Sequence, residues 1–242
     1  MQAILFLVYA SVVTLMPALV VIWYHGAAAS WGFLTGDAYL YLGIARNSPP
    51  EFYSFDGERP TNGFHPFWQY WVWLVTDLFR DSPGVVRGIA AWSAILLVWV
   101  GALLGGLAAR RLSGSWLLAC LVTPGAHFLL IGQGVGNLAV WNFFNGMEAG
   151  LTFALGGVIL LLAAQAGRWQ DRALYWLALG AALAALVFAR LDEAFVVLTI
   201  ALALLLWPGD GRGGCAMGCW SVCRRRRYWG RTSPTTMCRW AS

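Results

Sequence analysis

Across 242 residues, hydrophobic side chains make up 60% and charged ones 11%, with 15 tryptophans, which excludes an ordinary soluble domain and points to an integral membrane protein. The net charge of +5 is unevenly placed: residues 1–207 carry nine Arg against ten Asp or Glu, residues 208–242 carry seven Arg against one Asp, and lysine is absent. Basicity therefore belongs to the tail, and the rest of the chain has no basic stripe for nucleic acid.

Ile4–Tyr24 is an uncharged run long enough to cross a hydrocarbon core of roughly 30 Å. No positive segment precedes it and Pro17 interrupts it, so it is expected to be a retained first span and not a signal peptide. A polar stretch follows, Gly36–Trp68, holding Asp37, Arg46, Glu51, Asp56, Glu58, Arg59 and His65. Asp37 after Gly36 reads as an N-cap for a helix over 38–47. Phe67–Phe79 is short for a span and ends in charges; Trp68, Tyr70, Trp71 and Trp73 suit a helix lying in the membrane interface.

The second expected span is Gly88–Ala109, followed at once by Arg110 and Arg111, and the third lies within Ser115–Gly134. An aromatic, amide-rich connection then leads to Glu148. The fourth span, Ala149–Ala166, ends at a loop with Arg168, Asp171 and Arg172. The fifth, Ala173–Ala189, is broken by Arg190–Glu193, and the sixth runs Ala194–Trp207. The expected fold is all-α: a polytopic membrane protein with about six transmembrane helices and an extracytoplasmic first loop that contains juxtamembrane helices.

Arginine counting orients this path. Arg110–Arg111 and Arg168–Arg172 fall on one side, which the positive-inside rule makes cytoplasmic. Asp37, residues 50–66, Glu148 and Arg190–Glu193 are then all extracytoplasmic, with Ser54 facing out and Ser113 facing in. An ionised side chain at mid-bilayer costs about 2.5–3.5 kcal/mol on insertion scales, so Arg190, Asp192 and Glu193 should pair or face a wet cavity. Each acidic residue alone has a structural explanation; Glu148, for example, suits the positive end of the fourth helix. Their gathering on one face is harder to explain that way.

The motifs on that face resemble a known family. DAYLYLGIARN is similar to the first-loop motif of C-type (GT-C) membrane glycosyltransferases. NGFHPFWQYWVWL resembles the juxtamembrane helix of their protein O-mannosyltransferase and aminoarabinose-transferase branch; NGMEAGL and ARLDEAF resemble its second acidic loop and its polar break. The likeness covers about residues 1–207 and lies in spacing and topology more than in identity. Two departures stand out: the first loop opens with one acidic residue where many members have two, and Phe67 follows Pro66 where a second proline is common.

The resemblance implies transfer of a sugar from a polyprenyl-phosphate donor to an extracytoplasmic hydroxyl or amine, at the outer face of the inner (plasma) membrane. It implies Asp37 as base and Glu148 as its partner, with Arg59, His65, Arg190, Asp192 and Tyr41 binding substrate. A divalent cation is compatible with it, no metal ligand is assigned, and no nucleic acid is expected. The rival class is a transporter or channel, with the charged residues of the fifth and sixth spans lining a pathway. Residues 208–242 carry an Arg/Cys vocabulary unlike the rest and read as a disordered or frameshift-derived end. The transmembrane module is accordingly expected to be the N-terminal part of a larger enzyme, with the activity of this chain by itself left open.

Overall fold

The computed structural model describes residues 1–25, 34–48, 52–62, 64–130, 146–169 and 172–206. The tail, Glu51, Asp171 and most of the connection before Glu148 lie outside them. The chain divides into two compact units, 1–198 and 199–242. Of the second, the described part is 199–206, the end of the last helix.

The described helices are α1 (Gln2–His25), α2 (Gly36–Asn47), α3 (Pro66–Leu78), α4 (Pro83–Ser113), α5 (Trp116–Leu130), α6 (Ala149–Ala163), α7 (Ala166–Trp169), α8 (Ala173–Ala189) and α9 (Ala194–Leu206), with a 3-10 turn at Leu191–Glu193. Among the described residues there is no strand, only an isolated bridge between Ser54 and Pro60. The all-α class therefore stands. Local chemistry sets the ends. Pro66 and Pro83 open α3 and α4, where a missing N–H costs nothing. Gly114, at φ 74°, closes α4 and donates its N–H to Arg110 O at 2.9 Å. The second expected span thus extends in both directions, to Pro83–Ser113.

In the first unit α4 is the centre, packed by α1, α3, α5 and α6. Its contact with α6 is backbone against backbone. A Cβ added at Gly150 would lie 2.7 Å from Ala94 O, and one at Gly157 would lie 2.9 Å from Gly101 O. Small residues at this spacing let two helices approach as membrane helices do. The pairing of 94 with 150 and of 101 with 157 makes α4 and α6 parallel. By contrast α1 runs opposite to α4: Ala18 packs on Ile95 and Val98, whereas Phe6 packs by Trp116 and Ala119.

These directions gather α2, α3, the start of α6 and the end of α8 at one end. Arg110, Arg111 and the connection from α6 to α8 lie toward the other. Arg110 stacks over the Trp116 ring at 5.2 Å and Arg172 over Trp169 at 4.6 Å. By length and composition α4 is the one helix among the described residues able to cross a membrane; α6, α8 and Gln2–Met16 of α1 are apolar but shorter. Large apolar side chains stay exposed on the outer faces, including Leu5, Val8, Leu117, Leu121, Leu174 and Leu177.

The α3 helix departs from a simple interfacial one. Trp68, Gln69, Val72, Val75 and Thr76 form a buried face at helical spacing, while Tyr70 and Trp71 are exposed. Trp68 is sealed against Tyr41, Ala45 and Ala94, and its indole N–H donates to Gly146 O at 3.0 Å. Of the expected interfacial aromatics it is thus a core residue. A buried indole needs an acceptor, and Gly146 supplies it.

Candidate functional site

Four segments meet at the end where α2 and α3 lie. Tyr41 comes from the middle of α2, His65 caps α3, Glu148 stands at the head of α6, and Leu191 follows α8. Gly146 positions Glu148: its φ of 75° suits only glycine without strain, and an added Cβ would strike the Leu34 side chain. Glu148 occupies the N-cap position of α6, but its carboxylate makes no capping bond. Instead Tyr41 donates its hydroxyl to Glu148 Oε2 at 3.1 Å, and His65 Nε2 lies 3.5 Å from Oε1. Glu148 is 4% exposed, so its carboxylate is matched by donors from other elements rather than by water.

The Tyr41 hydroxyl also accepts the His65 backbone N–H at 3.2 Å, which locks α2 to the start of α3. Its acidity is pushed well below that of ordinary tyrosine, first by burial and then by the neighbouring Glu148 carboxylate. Tyr41 therefore keeps its proton and acts as a donor. On the other side of the imidazole, the Leu191 N–H donates to His65 Nδ1 at 3.2 Å. With Nδ1 accepting, the ring proton of neutral His65 sits on Nε2 and faces Glu148. At 3.5 Å this approach is longer than an ordinary hydrogen bond, leaving the N–H able to reach a substrate oxygen.

The other residues singled out in the sequence fall as follows. Asp37 is exposed in the first turn of α2; the N-cap is Thr35, so Asp37 is not the cap. It sits one turn before Tyr41 on the same helix face, close enough for its charge to act on the phenol. Among the described residues no hydrogen bond or ion pair engages its carboxylate. Arg190 pairs with Asp192 through Nε–Oδ1 at 2.9 Å, beside the Leu191 amide, and both are well exposed. Of the two acidic partners weighed for Arg190, Asp192 is the one it takes. Arg59 is exposed in the turn after Tyr53, and its described hydrogen bonds are made by its backbone. The structure therefore joins Tyr41, His65 and Glu148 directly, sets Asp37 beside them, ties Arg190–Asp192 on through Leu191, and leaves Arg59 outside the contacts.

That turn is built around Ser54, which is fully buried and not on the accessible surface. Its hydroxyl accepts Gly57 N–H at 2.9 Å, and Arg59 O at 2.7 Å and Asp56 Oδ1 at 3.0 Å share its one proton. Asp56 accepts the Arg59 and Glu58 N–H groups, each at 2.9 Å. These bonds, Arg59's first, hold its carboxyl below the usual carboxylate range. A depressed folded value means the stabilisation is present at neutral pH and is lost as pH falls through that value. Amide exchange at Gly57, Glu58 and Arg59 is therefore expected to quicken on acidification, and in Asp56→Ala at neutral pH. Unchanged exchange in Asp56→Ala would deny Asp56 its part in the turn.

Sequence reasoning missed the Gly146 carbonyl and the Leu191 amide. Both act through the backbone, and no side-chain pattern announces them. Among the described residues no group of three or more His, Cys, Asp or Glu is placed to hold a metal ion. Compared with protein-family models, curated proteins and solved structures, the chain matches none.

Proposed function

We propose that this chain is the catalytic module of a membrane glycosyltransferase of the C type, crossing the inner membrane about six times with its site on the outer face. The observation that carries the reading is the meeting of first-loop, α6 and α8–α9 residues in one Tyr41–His65–Glu148 group with Asp37 beside it. The exposed leucines and valines along α1, α5 and α8 support the membrane part, because contiguous apolar surface of this kind is not stable in water.

In the proposed reaction the acceptor oxygen attacks the anomeric carbon of a sugar held on a polyprenyl phosphate. A new carbon–oxygen bond forms, the bond to phosphate breaks, and the phosphate leaves with its electron pair. Asp37, exposed and unpaired among the described residues, takes the acceptor proton. Glu148, fixed by Tyr41 and His65, holds the acceptor. His65 Nε2–H, with Arg59 and Arg190, supplies donors for the departing phosphate. A divalent cation remains compatible, with no ligand set assigned.

Asp37→Asn is expected to abolish sugar transfer while lipid-donor binding survives, since the amide keeps the shape and cannot take the proton. Transfer at the wild-type rate would remove Asp37 from the mechanism. Substrate flux across vesicles without a transfer product would favour the transporter class.

The orientation has its own test. A cysteine replacing exposed Glu58 is expected to react with an impermeant thiol reagent in intact cells, and one replacing exposed Ser113 is not. The reverse labelling would overturn the outward site. Ser54 is unsuitable for this test because it is buried.

A further inference from the structure

The imidazole of His65 stands between two competing partners. Glu148 Oε1 lies 3.5 Å from Nε2, and the Leu191 N–H reaches Nδ1 at 3.2 Å. Leu191 opens the 3-10 turn after α8, so its N–H has no acceptor within that turn, and His65 is what satisfies it. Among the described residues this is the one hydrogen bond that joins Arg190–Glu193 to the first loop. We propose that His65 is a proton-controlled latch: neutral, it clasps the turn between α8 and α9, and protonated, it lets that turn go and holds Glu148 instead.

The stereochemistry of the ring requires this exchange of partners. Imidazole accepts a hydrogen bond only at a nitrogen that carries no hydrogen, and imidazolium has no such nitrogen. The Leu191 bond therefore exists only while His65 is neutral, and it is lost as pH falls and the ring gains its proton. The Glu148 contact has the opposite sign: a buried carboxylate 3.5 Å away gains an ion pair when the ring becomes charged. With its side chain 26% exposed, His65 can exchange protons with solvent. Histidine is the side chain whose ordinary charge change falls between roughly pH 5 and 8, which sets the range to be searched.

The other charged and titratable groups nearby leave this competition intact. From α2, the Tyr41 hydroxyl takes the His65 backbone N–H and not the ring, and Asp37 is exposed one turn earlier. In the turn after α8, Arg190 is paired with Asp192 at 2.9 Å, and among the described residues no hydrogen bond or ion pair engages the Glu193 carboxylate. Asp77 at the far end of α3 pairs with Arg80. Arg87 of α4 lies with Arg46 and Arg80 in a cleft bordered by Gly43 and Thr76, away from the ring. Asp56, Glu58 and Arg59 belong to the exposed turn around Ser54. Because α3 also packs on α8, what protonation releases is the turn and not α8 itself. The latch rests on this geometry and not on the transfer reading; on the proposed topology it faces the medium outside.

The test follows amide exchange at Leu191 in the full chain in phosphatidylcholine nanodiscs, read by fragmentation mass spectrometry. Each variant is compared with wild type at the same pH, so that intrinsic exchange cancels. At about pH 8, His65→Ala is expected to exchange about three- to tenfold faster than wild type, the effect of losing one neutral hydrogen bond. At about pH 5 the two should exchange alike. In His65→Asn the side-chain oxygen takes the place of Nδ1 and cannot be protonated, so Leu191 should stay protected at both values. Equal exchange in wild type and His65→Ala at the higher pH would overturn the bond. An undiminished difference at the lower pH would overturn its control by the proton. Loss of protection at the lower pH in His65→Asn as well would overturn it too, by showing that another group opens the turn. If His65→Asn protects at neither pH, the ratio of wild type to His65→Ala decides by itself. Wild-type transfer by Asp37→Asn would overturn the transfer reading and leave these ratios unchanged.

Discussion

Glutamine in place of Glu148 is expected to leave the fold intact and to lower sugar transfer by about a hundred- to ten-thousandfold, on the proposed reading. Its amide oxygen still accepts the Tyr41 hydroxyl, which stands 3.1 Å from the carboxylate, and its volume is unchanged. What it loses is the negative charge that orients the acceptor and faces His65 Nε2. Glu148→Ala behaves differently. It strands the buried Tyr41 hydroxyl, so it should also destabilise the protein by about 1–3 kcal/mol and lower its Tm in detergent. Measuring transfer and thermal unfolding for both variants separates chemistry from packing. Wild-type transfer by Glu148→Gln alongside a destabilised Glu148→Ala would make Glu148 a tie between α2 and α6 and nothing more.

Valine at Gly150 is expected to open the α4–α6 contact. Its Cβ would begin 2.7 Å from the Ala94 carbonyl oxygen, a backbone atom that cannot swing aside. Overpacking of this kind costs about 1–3 kcal/mol or more. The strain falls close to Glu148, so transfer should suffer as well as Tm. Gly156→Ala on the same helix is the control, because an added Cβ there meets nothing within 4 Å. That variant is expected to stabilise by about 0.4–1 kcal/mol through the unfolded state. Equal unfolding temperatures for Gly150→Val and wild type would mean that the two helices do not pack at this spacing.

The helix positions were legible because apolar runs end at punctuation that physics enforces. Proline opens α3 and α4, glycine closes α4, and α8 stops at Ala189, just before Arg190, as expected. What was not legible is rotation. An aromatic run such as Phe67–Trp73 looks alike from every side, and only packing against α2 and α4 decides that Trp68 faces inward. The same limit hid Ser54, whose burial follows from bonds made by backbone atoms of its own turn. Asp37 shows the opposite case: its segment is readable, but whether it or Thr35 begins the helix turns on two residues of register. Glu148 was picked out by its place at the head of a span, while its true partners come from residues distant in sequence.

The bond from the Leu191 amide to His65 Nδ1 spans 126 positions of sequence. A ribosome adding about 5–20 residues per second takes on the order of ten seconds to pass from one to the other. Within that interval α2, the turn at Ser54 and α3 emerge, and the imidazole waits first for Glu148 and then for the Leu191 amide. The order of synthesis therefore makes the first loop a waiting platform. It must hold its shape from bonds of its own, such as those of Tyr41 and Ser54, until the fourth and fifth apolar segments arrive. A pause in translation once residue 191 has left the ribosome would find the centre assembled; a pause before codon 148 would find only half of it.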